Sequence, residues 1–207
     1  MKKFELTSEF VTFLGKKLFR IKALISFGNV EEGELGGYVE KEENLSNDGN
    51  AWVSGDAWVY GDAEVSGDAW VYGDARVYGD ARVYGDARVS GNARVSGNAW
   101  VYGNAWVSGN AWVSGDAWVY GDAWVYGDAR VCGNADYATV HGFGSEYRTT
   151  TFFRTKAGDI GVRCGCFYGT LEEFRAKVKE RHGETKTAKE YLMVADLMEF
   201  RFSKEEA

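Results

Sequence analysis

Hydrophobic and polar residues repeat with a period of six along the middle of the chain. Residues 49–132 form fourteen consecutive units of the form Gly, Asp or Asn, Ala, a variable residue, Val, and then Tyr, Ser or once Cys. In an extended segment the Ala and Val side chains share one face, and the variable residue points to the other. A period of six does not fit a helix of 3.6 residues per turn, and fixed-period self-similarity is typical of a solenoid. The pattern therefore predicts a solenoid of short strands with Ala and Val inside.

The first two residues of each unit are suited to a corner between strands. Glycine adopts positive φ without strain, and Asp or Asn tolerates the left-handed region while its side chain hydrogen-bonds nearby main chain. Each buried valine contributes at most about 1.5 to 3 kcal/mol. We therefore expect the inner Val column to be the main source of stability.

The repeat closely resembles that of the hexapeptide-repeat proteins, which form left-handed parallel β-helices with three units in each triangular coil. The segment Gly33-Glu-Leu-Gly-Gly-Tyr38, followed by Asn44-Leu-Ser46 and the repeats, is similar to hexapeptide-repeat proteins encoded by bacteriophages and prophages. The resemblance implies a mainly β fold, a single-stranded left-handed parallel β-helix, to which the flanking segments add an N-terminal β-hairpin cap and a C-terminal α+β cap. Both the handedness and the triangular section are implied by the resemblance alone.

The N-terminal segment predicts a β-hairpin. Residues 3–14 and 18–25 are rich in Phe, Val, Ile, Leu and Thr, and Gly15-Lys-Lys17 separates them. We assign residues 1–36 to an N-terminal cap, because open coil ends present unpaired strand edges that otherwise polymerise.

The solenoid is expected to extend beyond the regular repeats on both sides. Val39 and Leu45 lie six residues apart in phase with Ala51, which predicts degenerate coils from about residue 37. On the other side, residues 138–142 repeat the motif three residues out of step. We therefore assign residues 37–144 to the solenoid.

The C-terminal segment, residues 145–207, predicts a second hairpin followed by two helices. Residues 147–155 and 160–167 are strand-like on either side of a Gly-containing turn. Thr170 and Glu173 have capping-box spacing at the start of a first helix. A second helix over about 187–201 is apolar on much of its circumference, so it either completes the cap or forms an oligomer contact.

Charge and composition exclude several classes of protein. The chain has 24 Lys and Arg against 31 Asp and Glu, a net charge of −7, which argues against a general binder of nucleic acid or anionic membranes. No apolar run approaches the roughly 20 residues that span a bilayer. The segment from Met1 to Leu14 lacks the apolar core of a signal peptide, and three cysteines do not make a disulfide framework. We expect a protein of the bacterial host cytoplasm.

Three units per coil arrange the outward-facing variable residues in three axial columns. The first column reads Trp52, Trp70, Arg88, Trp106 and Trp124, the second Trp58, Arg76, Arg94, Trp112 and Arg130, and the third Glu64, Arg82, Trp100 and Trp118. Neighbours in a column are expected about 4.8 Å apart, a spacing that suits aromatic stacking and guanidinium on indole. Two interpretations stay open: the columns stabilise the sheets as ladders, or their exposed aromatic area binds a partner.

We therefore expect a non-enzymatic binding or scaffold protein of phage or prophage type, homo-oligomeric and acting through an outer Trp, Tyr and Arg surface. Its candidate ligand- or partner-binding residues are Trp70, Arg76, Arg82, Arg88, Arg94, Trp100, Trp106 and Trp112. The partner is either a protein or a small anion such as a nucleotide signal, which the band of four consecutive arginines would hold. Nine corner aspartates weaken the field of that band.

The chain has few of the residues that carry out the known chemistries of the hexapeptide-repeat family. Many hexapeptide-repeat proteins are acyltransferases with a histidine base, and others bind zinc through three histidines, whereas this chain has His141 and His182 only. His141 is the candidate base for an acyltransferase, the alternative function. Cys164 and Cys166 are expected on one face of a strand as reduced thiols. We expect no metal and no cofactor, and we interpret the stacked corner Asp residues as turn caps and not as Ca²⁺ ligands.

Overall fold

The computed structural model describes residues 2–203. Three strands open the chain: β1 (Phe4–Phe13), β2 (Lys16–Ala23) and β3 (Leu35–Val39), followed by a 3-10 turn at Glu42–Asn44. Fourteen two-residue strands follow, β4 to β17: Trp52–Val53, Trp58–Val59, Glu64–Val65, Trp70–Val71, Arg76–Val77, Arg82–Val83, Arg88–Val89, Arg94–Val95, Trp100–Val101, Trp106–Val107, Trp112–Val113, Trp118–Val119, Trp124–Val125 and Arg130–Val131. The chain ends with β18 (Tyr137–Val140), β19 (Thr150–Arg154), β20 (Ile160–Cys164), β21 (Phe167–Thr170), α1 (Leu171–His182) and α2 (Lys186–Phe202).

The short strands form three parallel sheets around a common axis. Trp52 lies opposite Trp70 and Trp70 opposite Arg88, so three units make one coil. The sheet orders are β4-β7-β10-β13-β16, β6-β9-β12-β15 and β5-β8-β11-β14-β17, about five coils in all. The predicted mainly β fold with a parallel β-solenoid is confirmed, and the left-handed sense stays a prediction.

The inner column has the composition that the repeat predicts. Every Ala and Val of the fourteen units is at most 1% exposed, which makes the interior a continuous stack of methyl groups. The unit glycines from Gly49 to Gly127 all have positive φ, between 61° and 74°. Gly133 is not among them, so the regular corner geometry ends with the last solenoid strand.

The N-terminal hairpin extends one face of the solenoid. β1 pairs antiparallel with β2, β2 with β3, and β3 runs parallel to β5 with Tyr38 opposite Trp58. The hairpin turn is formed by Leu14 and Gly15, at φ 50° and 79°, one residue earlier than the turn that the sequence predicts. Positive φ at both central residues defines the tight turn whose twist matches a β-hairpin.

The degenerate first coil differs in register from the expectation. Val39 lies opposite Val59, and Leu45 bridges to Val65, so both residues occupy valine positions and are not in phase with Ala51. The reason is local. Val53 lies eight positions after Leu45, whereas successive valines of the repeat lie six positions apart.

Side chains from both terminal segments satisfy the open ends of the coils. At the first coil, buried Lys3 donates from Nζ to the carbonyl oxygens of Gly49 and Ala51, at 3.2 and 2.9 Å, and Asn44 Nδ2 donates to that of Ala63 at 2.8 Å. At the last coil the backbone N–H groups have no further coil to pair with. Those of Trp118 and Trp124 instead donate to Asn134 Oδ1 at 2.8 Å and to Thr151 Oγ1 at 2.9 Å.

The C-terminal segment is a four-stranded antiparallel sheet covered by two helices. Residues 138–142, expected as an out-of-step final coil, lie mostly in β18, which pairs antiparallel with β19. The predicted hairpin of β19 and β20 and the capping box of Thr170 and Glu173 are confirmed. The helices enclose a second core, built from Phe152, Val162, Leu171, Phe174, Val178, Ala188, Tyr191, Ala195, Met198 and Phe202. Within residues 2–203 no helix combines the length and apolar character that crossing a membrane requires.

Candidate functional site

The outward residues form the three predicted columns. The strand register pairs each Trp, Arg or Glu with its column neighbour one coil away. Trp106 and Trp124 are stacked with ring centroids 4.8 Å apart, and the Arg76 guanidinium lies 4.3 Å from the Trp58 ring centroid. The columns are therefore ladders of stacked rings and guanidinium groups, as their spacing predicts.

Most tryptophans are less exposed than the sequence suggests. Trp52 is 1% exposed because the N-terminal segment covers it, with Phe27 packed edge-on at 5.5 Å. Trp106 and Trp112 are half-buried, and their Nε1 atoms donate to Ser90 and Ser96 at 3.0 and 3.1 Å. An outward Trp is therefore half-covered by its own ladder, a consequence of stacking that the expectation of open indoles did not include.

The ladders end in different ways at the C-terminal end of the solenoid. The first column ends at Trp124, where the Arg163 guanidinium from β20 lies 4.0 Å from the ring centroid. The second ends on Arg130, whose guanidinium lies 5.8 Å from the Trp112 ring centroid. The third ends at Trp118, which stacks on Trp100 at 5.2 Å and is 45% exposed.

A second aromatic ladder runs beside the third column. Tyr84 stacks on Tyr102 with ring centroids 5.0 Å apart, and Tyr102 stacks on Tyr120 with ring centroids 5.4 Å apart. The planes of the rings are nearly parallel in both pairs. Tyr120, the last of the series, is 52% exposed. We call Tyr84, Trp100, Tyr102, Trp118 and Tyr120 the third-face aromatic surface.

A cleft of about 600 Å³ opens where this surface meets helix α2. We call it the terminal cleft. Trp118 and Tyr120 form one side, and Leu197, Met198 and Arg201 of α2 form another. Asn134 and Thr139 add polar groups, and Tyr137, Ala138 and Val140 complete the lining.

The charge of the terminal cleft is positive. Among the described residues that line it, Arg201 is the one with an ionised side chain, and its Nη2 lies 3.5 Å from the carbonyl oxygen of Asn134. Burial raises the pKa of the Tyr137 hydroxyl, which therefore stays neutral. The sequence offered one signal for this site, since Trp118 is the last member of its column, but α2 was placed there only by tertiary packing.

The four candidate arginines do not converge. Arg76 and Arg94 are neighbours in one sheet, whereas Arg82 and Arg88 lie in the two other sheets. Arg88 borders a second cavity of about 430 Å³ together with Trp70, but Asp68 and Asp86 lie there too. The predicted site residues are thus distributed over all three faces, and only Trp100 belongs to the third-face aromatic surface.

The candidate base and the cysteines lie in the C-terminal segment. His141 is exposed, and its Nδ1 is 3.0 Å from Thr149 Oγ1. Cys164 ends β20, whereas Cys166 lies in the two-residue turn before β21, so the expectation that they share one strand face is wrong. Both line a cavity of about 200 Å³ with His182. Within residues 2–203 no group of three or more His, Cys, Asp and Glu side chains is arranged to hold a metal ion.

Comparison with known families supports the repeat architecture. Three overlapping segments, residues 75–91, 87–103 and 99–115, match the model of the YdcK beta-solenoid repeat. No curated protein matches the chain significantly. The chain is thus similar to β-solenoid repeat proteins over part of the array.

Proposed function

We propose that this protein is a non-enzymatic β-solenoid binding protein of phage or prophage type that acts in the cytoplasm of the bacterial host. Its binding site is the third-face aromatic surface with the terminal cleft. One observation carries the proposal: the ladders of this face end in two exposed rings, Trp118 and Tyr120, beside a cleft, whereas the terminal indole Trp124 of the first column is covered by Arg163. Exposed aromatic area next to a cavity is typical of binding sites.

The alternative acyltransferase function has weaker support. His141, its candidate base, hydrogen-bonds with Thr149 on an exposed segment after β18 and does not line the terminal cleft. A general base has to lie within hydrogen-bond reach of its substrate, and His141 lines neither the terminal cleft nor the cavity beside His182.

Native mass spectrometry of the protein purified from bacterial cytoplasm tests the binding function. We expect a bound molecule on the parent protein, its loss from Trp118→Thr, and its retention by the matched variant Trp124→Thr, whose indole is covered by Arg163. A bound molecule equally retained by Trp118→Thr contradicts the proposed site. Turnover of an acyl-coenzyme A that His141→Ala abolishes contradicts the non-enzymatic function.

Homo-oligomerisation is a second proposal, and helix α2 supports it. Met193 and Phe200 are 71% and 78% exposed and lie two turns apart on one side of the helix. An apolar stripe of this kind is suited to packing against its own copy across a two-fold axis. Light scattering should show a dimer for the parent and a monomer for Met193→Lys with Phe200→Lys. A monomeric parent at micromolar concentration contradicts it.

A further inference from the structure

The end of the third column lacks the cover that its two counterparts have. On the first column a guanidinium from outside the array, that of Arg163, lies over the indole of Trp124. On the second column Arg130 covers Trp112. On the third column the next position in the series is occupied by Asp136, whose carboxylate instead accepts from the backbone N–H groups of Cys132 and Gly133 at 2.9 and 3.1 Å. The ring of Trp118 is therefore left facing the terminal cleft.

The spacing of the ladder sets the shape of what fits there. Residues of adjacent coils lie about 4.8 Å apart, and tilted rings in such a column stack in van der Waals contact. The cleft volume, about 600 Å³, lies within the usual range for small-molecule sites. A flat ring entering the cleft would lie between Trp118 and the apolar side chains of Leu197 and Met198. The site thus favours a planar group over a bulky saturated one.

The positive charge of the cleft determines which substituents on a bound ring are favourable. Arg201 is the one ionised side chain in the described lining, so an anionic group gains a charge-assisted hydrogen bond while a cationic group is repelled. The Oδ1 atom of Asn134 is already used, because it accepts from the Trp118 N–H. No carboxylate among the described lining residues competes for the guanidinium.

We propose that the terminal cleft binds a planar aromatic molecule that carries an anionic group, its ring stacked on Trp118 as the next member of the ladder and its anion held by Arg201. This inference rests on the proposed function and names the ligand class of the same site. Aromatic carboxylates and nucleotides share this chemistry.

Calorimetric titration with defined probes tests the ligand class. We expect 2-naphthoate or adenosine monophosphate to bind at least about tenfold more tightly than the saturated anion cyclohexanecarboxylate, because a planar ring gains stacking on the aromatic side chain. The cation 2-naphthylmethylammonium should bind more weakly than 2-naphthoate. Preference for naphthoate indicates an aromatic carboxylate as the natural ligand, and preference for the nucleotide indicates a nucleotide.

Variants locate the site. Trp118→Thr should weaken probe binding about tenfold, and Trp118→Phe, which keeps a planar ring, should weaken it less. Arg201→Gln should weaken binding of the anionic probes about tenfold and should strengthen binding of the cationic probe, because the repelling charge is gone. Trp124→Thr, which removes the covered indole at the end of the first column, and Arg181→Gln are matched controls and should stay within about twofold of the parent. Circular dichroism verifies that each variant is folded.

Two outcomes overturn the inference. The first is that neither aromatic anion binds more tightly than cyclohexanecarboxylate, and the second is that Trp118→Thr and Trp124→Thr lose affinity equally. If native mass spectrometry still shows a bound molecule that depends on Trp118, the binding function stands and the ligand class is wrong. If no bound molecule depends on Trp118, the proposed function itself fails.

Discussion

Gly85 lies directly beneath the main chain of Gly103, so closely that a Cβ atom on Gly85 would stand 3.0 Å from the Gly103 nitrogen. The same contact recurs between most corner glycines of successive coils. Gly85 also has a φ of 71°, a conformation that other residues adopt at a cost. Two separate requirements, conformation and space, therefore select glycine at this corner.

A pair of alanine substitutions separates these requirements. Gly121 has nearly the same φ, 66°, but no atom lies within 4 Å of a Cβ placed there. Gly121→Ala should lower the free energy of unfolding by about 1 to 2 kcal/mol, the cost of the left-handed conformation. Gly85→Ala should lower it by at least about 1 kcal/mol more, because rigid backbone above it has to shift. Urea denaturation measures both, and equal losses would show that the close approach carries no energy.

Lys3 makes stability depend on pH in an unusual direction. Burial lowers the pKa of its ammonium from 10.5 to about 8, although Asp48 and Asp68 oppose the shift. Between these values the unfolded chain binds more protons than the folded chain, so the contribution of Lys3 to stability rises with pH. The free energy of unfolding of the parent relative to Lys3→Met should increase by up to about 3 kcal/mol from pH 8 to pH 10.5.

The relative measurement is needed because tyrosines and cysteines also titrate in this range. Lys2→Met is the matched control, since Lys2 is an exposed lysine paired with Glu42. It should show no such divergence from the parent. A constant difference between the parent and Lys3→Met across the range would mean that Lys3 is solvated in the folded protein.

Leu14 offers a route to higher stability. It is 84% exposed and held at φ 50° in the first hairpin turn, where Asn and Gly are the favoured residues. Leu14→Asn should raise the free energy of unfolding by about 0.5 to 1 kcal/mol without changing the structure. Leu35→Asn, another exposed leucine but with ordinary backbone, should not stabilise. A loss of stability in Leu14→Asn would indicate that the leucine side chain has a contact beyond the turn.

Trp112 tests how far the ladders are structural. Its ring lies between the guanidinium groups of Arg94 and Arg130, each 5.8 Å from the ring centroid, and its Nε1 donates to the buried hydroxyl of Ser96. Trp112→Thr removes both contacts and should lower the free energy of unfolding by about 2 kcal/mol. Trp118→Thr, at an open ladder end, should lower it by about half as much. Equal losses at the two positions would contradict the structural role of the enclosed indole.

The repeat determines most of the solenoid from the sequence alone. Because the period never breaks, the burial of every repeat Val follows from counting residues. The pairing of Trp52 with Trp70 follows once the family resemblance supplies three units per coil. Local signals also sufficed for the capping box at Thr170, since its partner Glu173 lies within one helical turn. Features that depend on the repeat period or on residues close in sequence can therefore be predicted without knowledge of the tertiary structure.

The structure at the two ends of the solenoid could not be predicted from the sequence in the same way. The hydrogen bonds between Lys3 and Ala51 and between Trp124 and Thr151 join residues that are far apart in the sequence. No local sequence pattern predicts either of them. The assignment of residues 138–142 to a coil failed because the motif resembles a repeat, whereas pairing with β19 places it in another sheet. The terminal cleft depends on where α2 packs, which is likewise a non-local outcome.

Because three six-residue units make one coil, the solenoid can change its length only by whole coils if its two caps are to keep their relative orientation. Adding or removing a whole coil lengthens or shortens the rod by about 4.8 Å and leaves each cap over the same face. Adding or removing a single unit would instead rotate the C-terminal segment by one face relative to the N-terminal hairpin and would interrupt the stacked columns at the point of the change. Natural variants should therefore differ in the array by multiples of eighteen residues, the sequence distance between Trp52 and Trp70. An array of this kind can therefore set the distance between the N-terminal hairpin and the terminal cleft in steps of one coil, while their relative orientation stays fixed.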